Sequence, residues 1–358
     1  MRIAQVCGYS LTPPGGVQAQ VLGLARSLRG LGHQVRVLAP CDGPPPDSGV
    51  TPLGKSVPLA TNGSVAPIAP DPACALRTIR ALWDEEFDVV HVHEPLVPGP
   101  PMTAVLMSDR TIGTFHRAGS DRIYSVLGRA ARPIANRLRL RTAVSVDARE
   151  TAHQVLGGEY ELLFNGIEVD RFAKAAERKA DVPTILFLGR HEPRKGLDVL
   201  LEAASGDRLP GDIRIWIAGD GPQTAELKAR HAGNHRLEWL GRLSEEEKAV
   251  RFRSADVFCS PAVSGESFGI VLLEAMAAST AVVASDIPGH RNVVPTHGEH
   301  GLLVPPGDPD ALAAALRRVI DDGVLRRQLV EAGEARAAEL SMDNLADRYL
   351  ALYERVID

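Results

Sequence analysis

Two α/β domains, each a doubly wound parallel sheet, are predicted by three features of this chain. Short apolar runs alternate with amphipathic runs of helical spacing from end to end. The alternation restarts after a polar segment near the middle, and 358 residues are enough for two ordinary cores. In the first series, strands are expected at 2–6, 34–39, 89–92, 112–115 and 143–146, with a helix at 16–31. The Pro/Gly-rich segment 40–50 is a surface loop that interrupts the pattern without ending it. In the second series, strands are expected at 184–188, 213–218, 236–240, 257–260 and 281–285, with helices at 196–204, 223–231, 245–254 and 270–278. Asn165-Gly166 and the polar run 174–181 place the linker at 165–181, which divides the chain into 1–168 and 169–340. A last helix is expected at 343–356.

The bulk composition narrows the function classes. An apolar content of 44% and a charged content of 24% are those of a soluble globular protein, and a net charge of −5 gives no global case for nucleic-acid binding. Cys7, Cys41, Cys74 and Cys259 have no C-x-x-C spacing, which favours a reduced, cytoplasmic setting. No apolar run approaches the roughly 20 residues that cross a bilayer, and the first strand is too short for a signal-peptide core.

The run Glu266-Ser-Phe-Gly-Ile-Val-Leu-Leu-Glu274 carries the most chemistry. Its two carboxylates are eight positions apart, a little over two helical turns, and so lie on roughly one side of a helix that starts between them. Phe268, Gly269 and Ile270 then present the unpaired N–H groups of a helix start, suited to phosphate or sugar oxygens. On spacing alone, a dipole-favoured Glu and a chance second Glu explain the run as well. Gly15-Gly16 sits between the first strand and the first helix, a tight turn or a close approach to an anion. Arg190, Arg194 and Lys195 follow a strand end in the second domain, as a pyrophosphate clamp or a solvated basic loop. Glu245 and Lys248, three apart, suit the edge of guanine, or form an exposed salt bridge. His91 and His93 share one strand face, where packing is the default over a metal site. Seven arginines, at 117, 122, 129, 132, 137, 139 and 141, are interleaved with apolar residues, as on a helix lying on anionic lipid or a solvated basic face.

Taken in order, Gly15-Gly16, Gly189-Arg190 with Lys195-Gly196, Glu266-x7-Glu274 and Leu302-Leu303-Val304-Pro305-Pro306-Gly307-Asp308 resemble the retaining, nucleotide-sugar-dependent glycosyltransferases of family 4. Tyr9-Ser10, Asn62-Gly63-Ser64-Val65-Ala66, His91-Val92-His93-Glu94-Pro95 and Thr114-Phe115-His116 point, within it, to enzymes that move mannose from GDP-mannose to the inositol ring of a membrane phospholipid. The resemblance implies the GT-B fold, two Rossmann-like domains facing a central cleft, with residues 341–358 crossing back to the first domain. It assigns Gly16, Arg190 and Lys195 to the diphosphate, Glu274 to ribose and Glu266 to the sugar, and Glu245 with Lys248 to guanine. Tyr9, Gln18, Asn62, Ser64 and Arg194 fall to the acceptor, and His116 beside the anomeric carbon. No cofactor and no metal are expected, because fixed cations stand where a divalent ion would act. A cytoplasmic enzyme with peripheral contact to anionic membrane is implied.

The chain departs from that pattern mainly on the acceptor side. Ala66-Pro67-Ile68 lacks an arginine, Arg117-Ala118-Gly119 replaces a hydroxyl-rich segment, and the helix at 72–83 keeps only Arg77 and Arg80 of a denser basic cluster. Ser279 stands where a glycine is usual. The alternative within the family is a UDP- or GDP-sugar enzyme acting on another glycolipid or a soluble inositol phosphate. A non-catalytic nucleotide-sugar sensor would keep the clamp without needing His116. A Rossmann oxidoreductase fits poorly, since its G-x-G-x-x-G fingerprint is absent.

Overall fold

The computed structural model describes all residues except Pro14, Asn62, Gly63, Ser120 and Asp121, and leaves undescribed the side chains of 60, 61, 64, 65 and 122–127. Two compact units form, Met1–Gly166 with Met342–Asp358, and Ile167–Ser341.

The first unit runs β1 (Arg2–Cys7), α1 (Gly16–Gly30), β2 (Gln34–Ala39), β3 (Val50–Pro52), β4 (Val57–Thr61), β5 (Ser64–Ile68), α2 (Pro72–Glu85), β6 (Val89–His93), α3 (Pro100–Met107), β7 (Thr111–Phe115), α4 (Arg122–Ala135), β8 (Leu140–Ala143), α5 (Val146–Leu156) and β9 (Glu161–Leu162). Its main sheet has the order β3-β2-β1-β6-β7-β8-β9, parallel throughout, and β4 and β5 make a separate antiparallel hairpin. The central strands are buried on both faces, as a helix-covered parallel sheet requires.

The second unit runs α6 (Val169–Ala173), β10 (Thr184–Leu188), α7 (Leu197–Ala203), β11 (Arg214–Ala218), α8 (Thr224–Arg230), β12 (Leu237–Gly241), α9 (Glu245–Ser254), β13 (Val257–Ser260), α10 (Ile270–Ala277), β14 (Ala281–Ser285), α11 (Pro288–Arg291), β15 (Leu302–Val304), α12 (Pro309–Asp321) and α13 (Gly323–Glu339). Its sheet order is β12-β11-β10-β13-β14-β15, again parallel. The expected doubly wound pattern is thus present in both units.

The last helix, α14 (Met342–Ile357), belongs to the first unit. Leu345, Tyr349, Leu352 and Tyr353 pack with Val21, Leu24 and Leu28 of α1 over Ile3, Val89 and Ile112 of the sheet. The other sheet face buries Val6, Val92 and Phe115 under Leu82, Val105 and Val155. α14 is therefore part of this core, as the resemblance implied.

Three local expectations change, and the Ser279 substitution finds its setting. The strand expected at 143–146 ends at Ala143, because the Ser145 hydroxyl accepts the Ala148 N–H at 3.0 Å and caps α5. The expected linker holds α6, anchored by buried Phe172 edge-on to Phe252, ring centroids 6.1 Å apart. Ser279 takes the left-handed backbone of the usual glycine, with φ +58°, and its hydroxyl accepts from Arg253 at 2.5 Å. Four arginines of the basic stretch are held by backbone carbonyls. Arg132 donates to Val155 O at 2.9 Å, Arg137 to Val105 O at 3.3 Å, Arg139 to Val356 O at 2.7 Å and Arg141 to Gly157 O at 2.9 Å. These carbonyls lie at the ends of α5, α3 and α14, where a helix leaves acceptors unpaired and favours cations.

Candidate active site

In the second unit the strand order reverses between β10 and β13, and the loops after those strands meet beyond their C-terminal ends. The loop after β10 carries Arg190 and a short 3₁₀ turn, Pro193–Lys195; the loop after β13 carries Glu266. The Lys195 ammonium pairs with Glu266 Oε1. Arg194 Nη1 lies 3.5 Å from that oxygen and donates to Gly265 O at 3.0 Å, while Nη2 lies 2.8 Å from Glu192 Oε1. Arg194, expected at the acceptor, is thus engaged in bracing the Glu266 loop. Arg190 is looser, its side chain 54% exposed and its Nε 3.8 Å from Glu192 Oε2.

Gly269 precedes α10 with φ +82°, a backbone that strains any other residue, and α10 has no side-chain cap over its first amides. Phe268 is buried. Gly289 permits a close approach, since a Cβ there would lie 2.0 Å from Glu266 O. Next to it, buried His290 bonds Ser285 O through Nδ1 at 2.8 Å and Ser260 Oγ through Nε2 at 3.2 Å. Burial holds its imidazole below the usual range. Neither residue carried a sequence signal; only the folded loop joins 289–290 to Glu266.

Glu274 begins a chain of alternating charge. Lys248 Nζ lies 2.7 Å from Glu274 Oε1 and 3.0 Å from Glu245 Oε2, and Glu245 Oε2 lies 2.5 Å from Arg171 Nη2. Burial alone would lower the Lys248 ammonium, but the two carboxylates hold it above its ordinary value. Burial raises the Glu274 carboxyl, an effect that Lys248 only partly offsets. Lys248→Met is expected to destabilise this unit by about 3 kcal/mol at pH 8, since it strands a buried carboxylate. The loss should shrink toward pH 6, because a carboxyl with a raised folded pKa regains stability as it takes up a proton. Urea unfolding at both pH values checks this, and adding Glu274→Leu should restore most of the loss.

In the first unit the order reverses between β1 and β6. α1 begins at Gly16, where an added Cβ would meet nothing within 4 Å. Gln18 Nε2 donates to Ser10 O at 3.2 Å and Pro13 O at 3.4 Å, so it braces the loop that ends in Gly15-Gly16. Tyr9 bridges to Ile68 of β5. Asn62 and the side chain of Ser64 lie outside the described residues.

His116 follows β7. Its ring Nε2 lies 3.1 Å from His93 Nδ1, and its backbone N–H donates to Glu94 Oε1 at 2.6 Å. Burial pushes the His116 imidazole down to about 3. His91 is a packing residue: Nδ1 meets the Tyr353 hydroxyl at 2.8 Å and Nε2 the Thr114 hydroxyl at 2.6 Å. The Glu94 carboxylate was not singled out from the sequence, although it lies in the His91–Pro95 motif.

Residues 14–171 match the family described as Glycosyltransferase Family 4, and residues 168–336 the family Glycosyl transferases group 1. The phosphatidyl-myo-inositol mannosyltransferase of Mycobacterium leprae is 41% identical over 374 residues, covering 99% of this chain and 97% of that one. The protein of the same name from Mycolicibacterium smegmatis is 41% identical over 368 residues, 99% of this chain and 94% of that one. Among solved structures, Anabaena HepE in complex with UDP superposes with a TM-score of 0.78 at 17% identity, covering 99% of this chain and 100% of that one. This last likeness speaks to the fold alone.

Proposed function

This chain belongs to glycosyltransferase family 4, with the phosphatidyl-myo-inositol mannosyltransferases, and from that membership we propose that it transfers mannose from GDP-mannose to the inositol ring of a phosphatidylinositol-type lipid. The observation that carries the proposal is the identity of 41% along nearly the full length of both chains. The site residues supply a coherent chemistry for it. As the sugar–phosphate bond breaks, negative charge grows on the departing diphosphate, and fixed cations stabilise it without reorganising. Arg190 and Lys195 take that role, aided by the amides of Phe268, Gly269 and Ile270. Glu266 binds sugar hydroxyls and Glu274 those of the ribose. Reading guanine requires Glu245 and Lys248 to exchange part of their present pairing with Arg171 and Glu274 for the base.

No divalent metal is required in this scheme, since side-chain cations do its electrostatic work. Tyr9, Gln18 and the 62–64 segment hold the inositol phosphate, and His116 contacts the reacting sugar. Contact with an anionic membrane rests on α2, where Leu76 and Trp83 are each 67% exposed two turns apart, with Arg80 between them. Among the described residues no helix is long and apolar enough to cross a membrane.

The decisive experiment is product analysis in the presence of EDTA, with GDP-mannose and UDP-sugars against phosphatidylinositol vesicles and soluble inositol phosphate. Mannosyl-phosphatidylinositol formed only from GDP-mannose is the expected product. Transfer from a UDP-sugar, or to the soluble acceptor alone, would move the chain to another branch of the family. Trp83→Ala should raise the apparent KM for the vesicle-borne acceptor only.

A further inference from the structure

Two consecutive residues at the end of β6 both reach His116, although consecutive side chains of a strand point to opposite faces. His93 lies on the α14 side, its ring stacked on His91 with centroids 4.1 Å apart, and its Nδ1 meets His116 Nε2 at 3.1 Å. Glu94 ought to point the other way. Its backbone is instead left-handed, with φ +54°, a disfavoured conformation for a residue with a side chain. The ladder survives the twist, because Glu94 N still donates to Thr114 O at 2.9 Å. The turned carboxylate, itself buried, accepts the backbone N–H of His116 at 2.6 Å and also that of Arg117. β7 makes its last ladder pair at Phe115, so these two amides lie just beyond the sheet.

We infer that His93 and Glu94 are positioning residues for the transfer reaction. Glu94 replaces the missing strand partner and fixes the main chain of His116 and Arg117, and His93 fixes the plane of the His116 ring. Behind His93, the arrangement is held from α14. Tyr353 bonds His91, and Tyr349 bonds Thr114 at 2.9 Å, whose hydroxyl also meets His91. Strained backbone persists only where its surroundings over-determine it. Here the strain puts two adjacent side chains on one target. This inference rests on the reading that His116 contacts the reacting sugar.

The test is steady-state kinetics of Glu94→Ala, Glu94→Gln and His93→Phe, alone and in a His116→Ala background, with GDP affinity and thermal midpoint measured alongside. Glu94→Ala is expected to lower kcat by about 100-fold, the usual cost of misplacing a reacting group by an ångström, with GDP affinity unchanged. Glu94→Gln, which keeps a carbonyl acceptor, should recover kcat to within about tenfold of the parent, and His93→Phe should cost about tenfold. Once His116 is absent, each change should cost less than about twofold, because residues acting through one partner are not additive. Losses that multiply in the His116→Ala background would overturn the inference, as would parental kcat in Glu94→Ala and His93→Phe while His116→Ala is inactive. Full activity of His116→Ala would instead overturn the assignment of His116. In that case the ring ¹⁵N resonances of His116 decide the clamp: unchanged shifts in His93→Phe defeat it, and displaced shifts support it.

Discussion

Truncating His116 to alanine is expected to lower kcat for mannosyl transfer by about 1,000-fold, close to 4 kcal/mol of transition-state stabilisation, while GDP binds within about twofold of the parent. The split follows from where the residues lie. Arg190, Lys195, Glu245, Lys248 and Glu274 all belong to the second unit, whereas His116 belongs to the first. The chemistry of the loss is also constrained. Burial pushes the His116 imidazole down to about 3, so the ring is neutral at any working pH. On the proposed reading, its contribution is a directed dipole and a hydrogen bond to the sugar, with no net charge. Accordingly, kcat should show no histidine inflection between about pH 6 and 8. His116→Asn, which keeps a polar amide, should recover part of the loss. Single-turnover rates with calorimetric GDP titration measure both halves of the claim, and parental kcat in His116→Ala would remove His116 from the reaction.

The sheet strands were legible because their signal is local. Residues 184–188, 257–260 and 281–285 are continuous apolar runs bounded by polar turns, and each is a strand with those ends. Residues 140–142 were not legible: Leu140 and Arg141 are half-buried, the arginine bonds outside the strand, and the buried Thr142 is polar. α6 was missed because one buried aromatic, Phe172, anchors five residues in a stretch otherwise polar.

The site divides in the same way. Glu266, Gly269 and Glu274 were visible because a helix start imposes their spacing. Lys195 was visible as a cation in a loop and Lys248 as the i,i+3 neighbour of Glu245, but their pairing with the distant Glu266 and Glu274 was not. The pairings of Lys195 with Glu266 and of Arg171 with Glu245 span 71 and 74 residues, distances that only the fold closes. Four of the seven arginines in the basic stretch were unreadable for a related reason. Periodicity cannot tell an arginine facing lipid from one that caps the C-terminus of a distant helix, as Arg139 does on α14. Glu94 required its left-handed φ to be known, since an ordinary strand would have turned it away from His116.

Mild acid should unfold the first unit well before carboxylates titrate. His91 is pushed down to about 3 by burial, with a smaller contribution from His116; His116 itself is at about 3, and His93 is held well below its ordinary value by burial and its two neighbours. Each therefore has a folded pKa depressed below the unfolded value of about 6.5. The sign follows: below that pH the unfolded chain takes up protons that the folded chain refuses, so stability is full above about 6.5 and falls as pH drops. Only the direction of the folded values matters while they stay below the window of measurement. One such histidine costs about 1.4 kcal/mol per pH unit, so three cost about 4 kcal/mol by pH 5.5, comparable to the whole stability of many domains. The surrounding groups do not cancel this. Tyr349 and Tyr353 are raised by burial and stay neutral, and Cys7, raised to about 12, remains a thiol. Glu94 is raised by burial and acts in the opposite sense, but it is a single carboxyl against three imidazoles. Hydrogen exchange of peptides from β1, β6, β7 and α14 between pH 7.5 and 5.5 should show protection collapsing at the lower end. His91→Gln should reduce the slope by about a third, one proton's share. Protection that stays flat across this range would show that the three rings are protonated in the folded protein, and the neutral state assigned to His116 would fall with them.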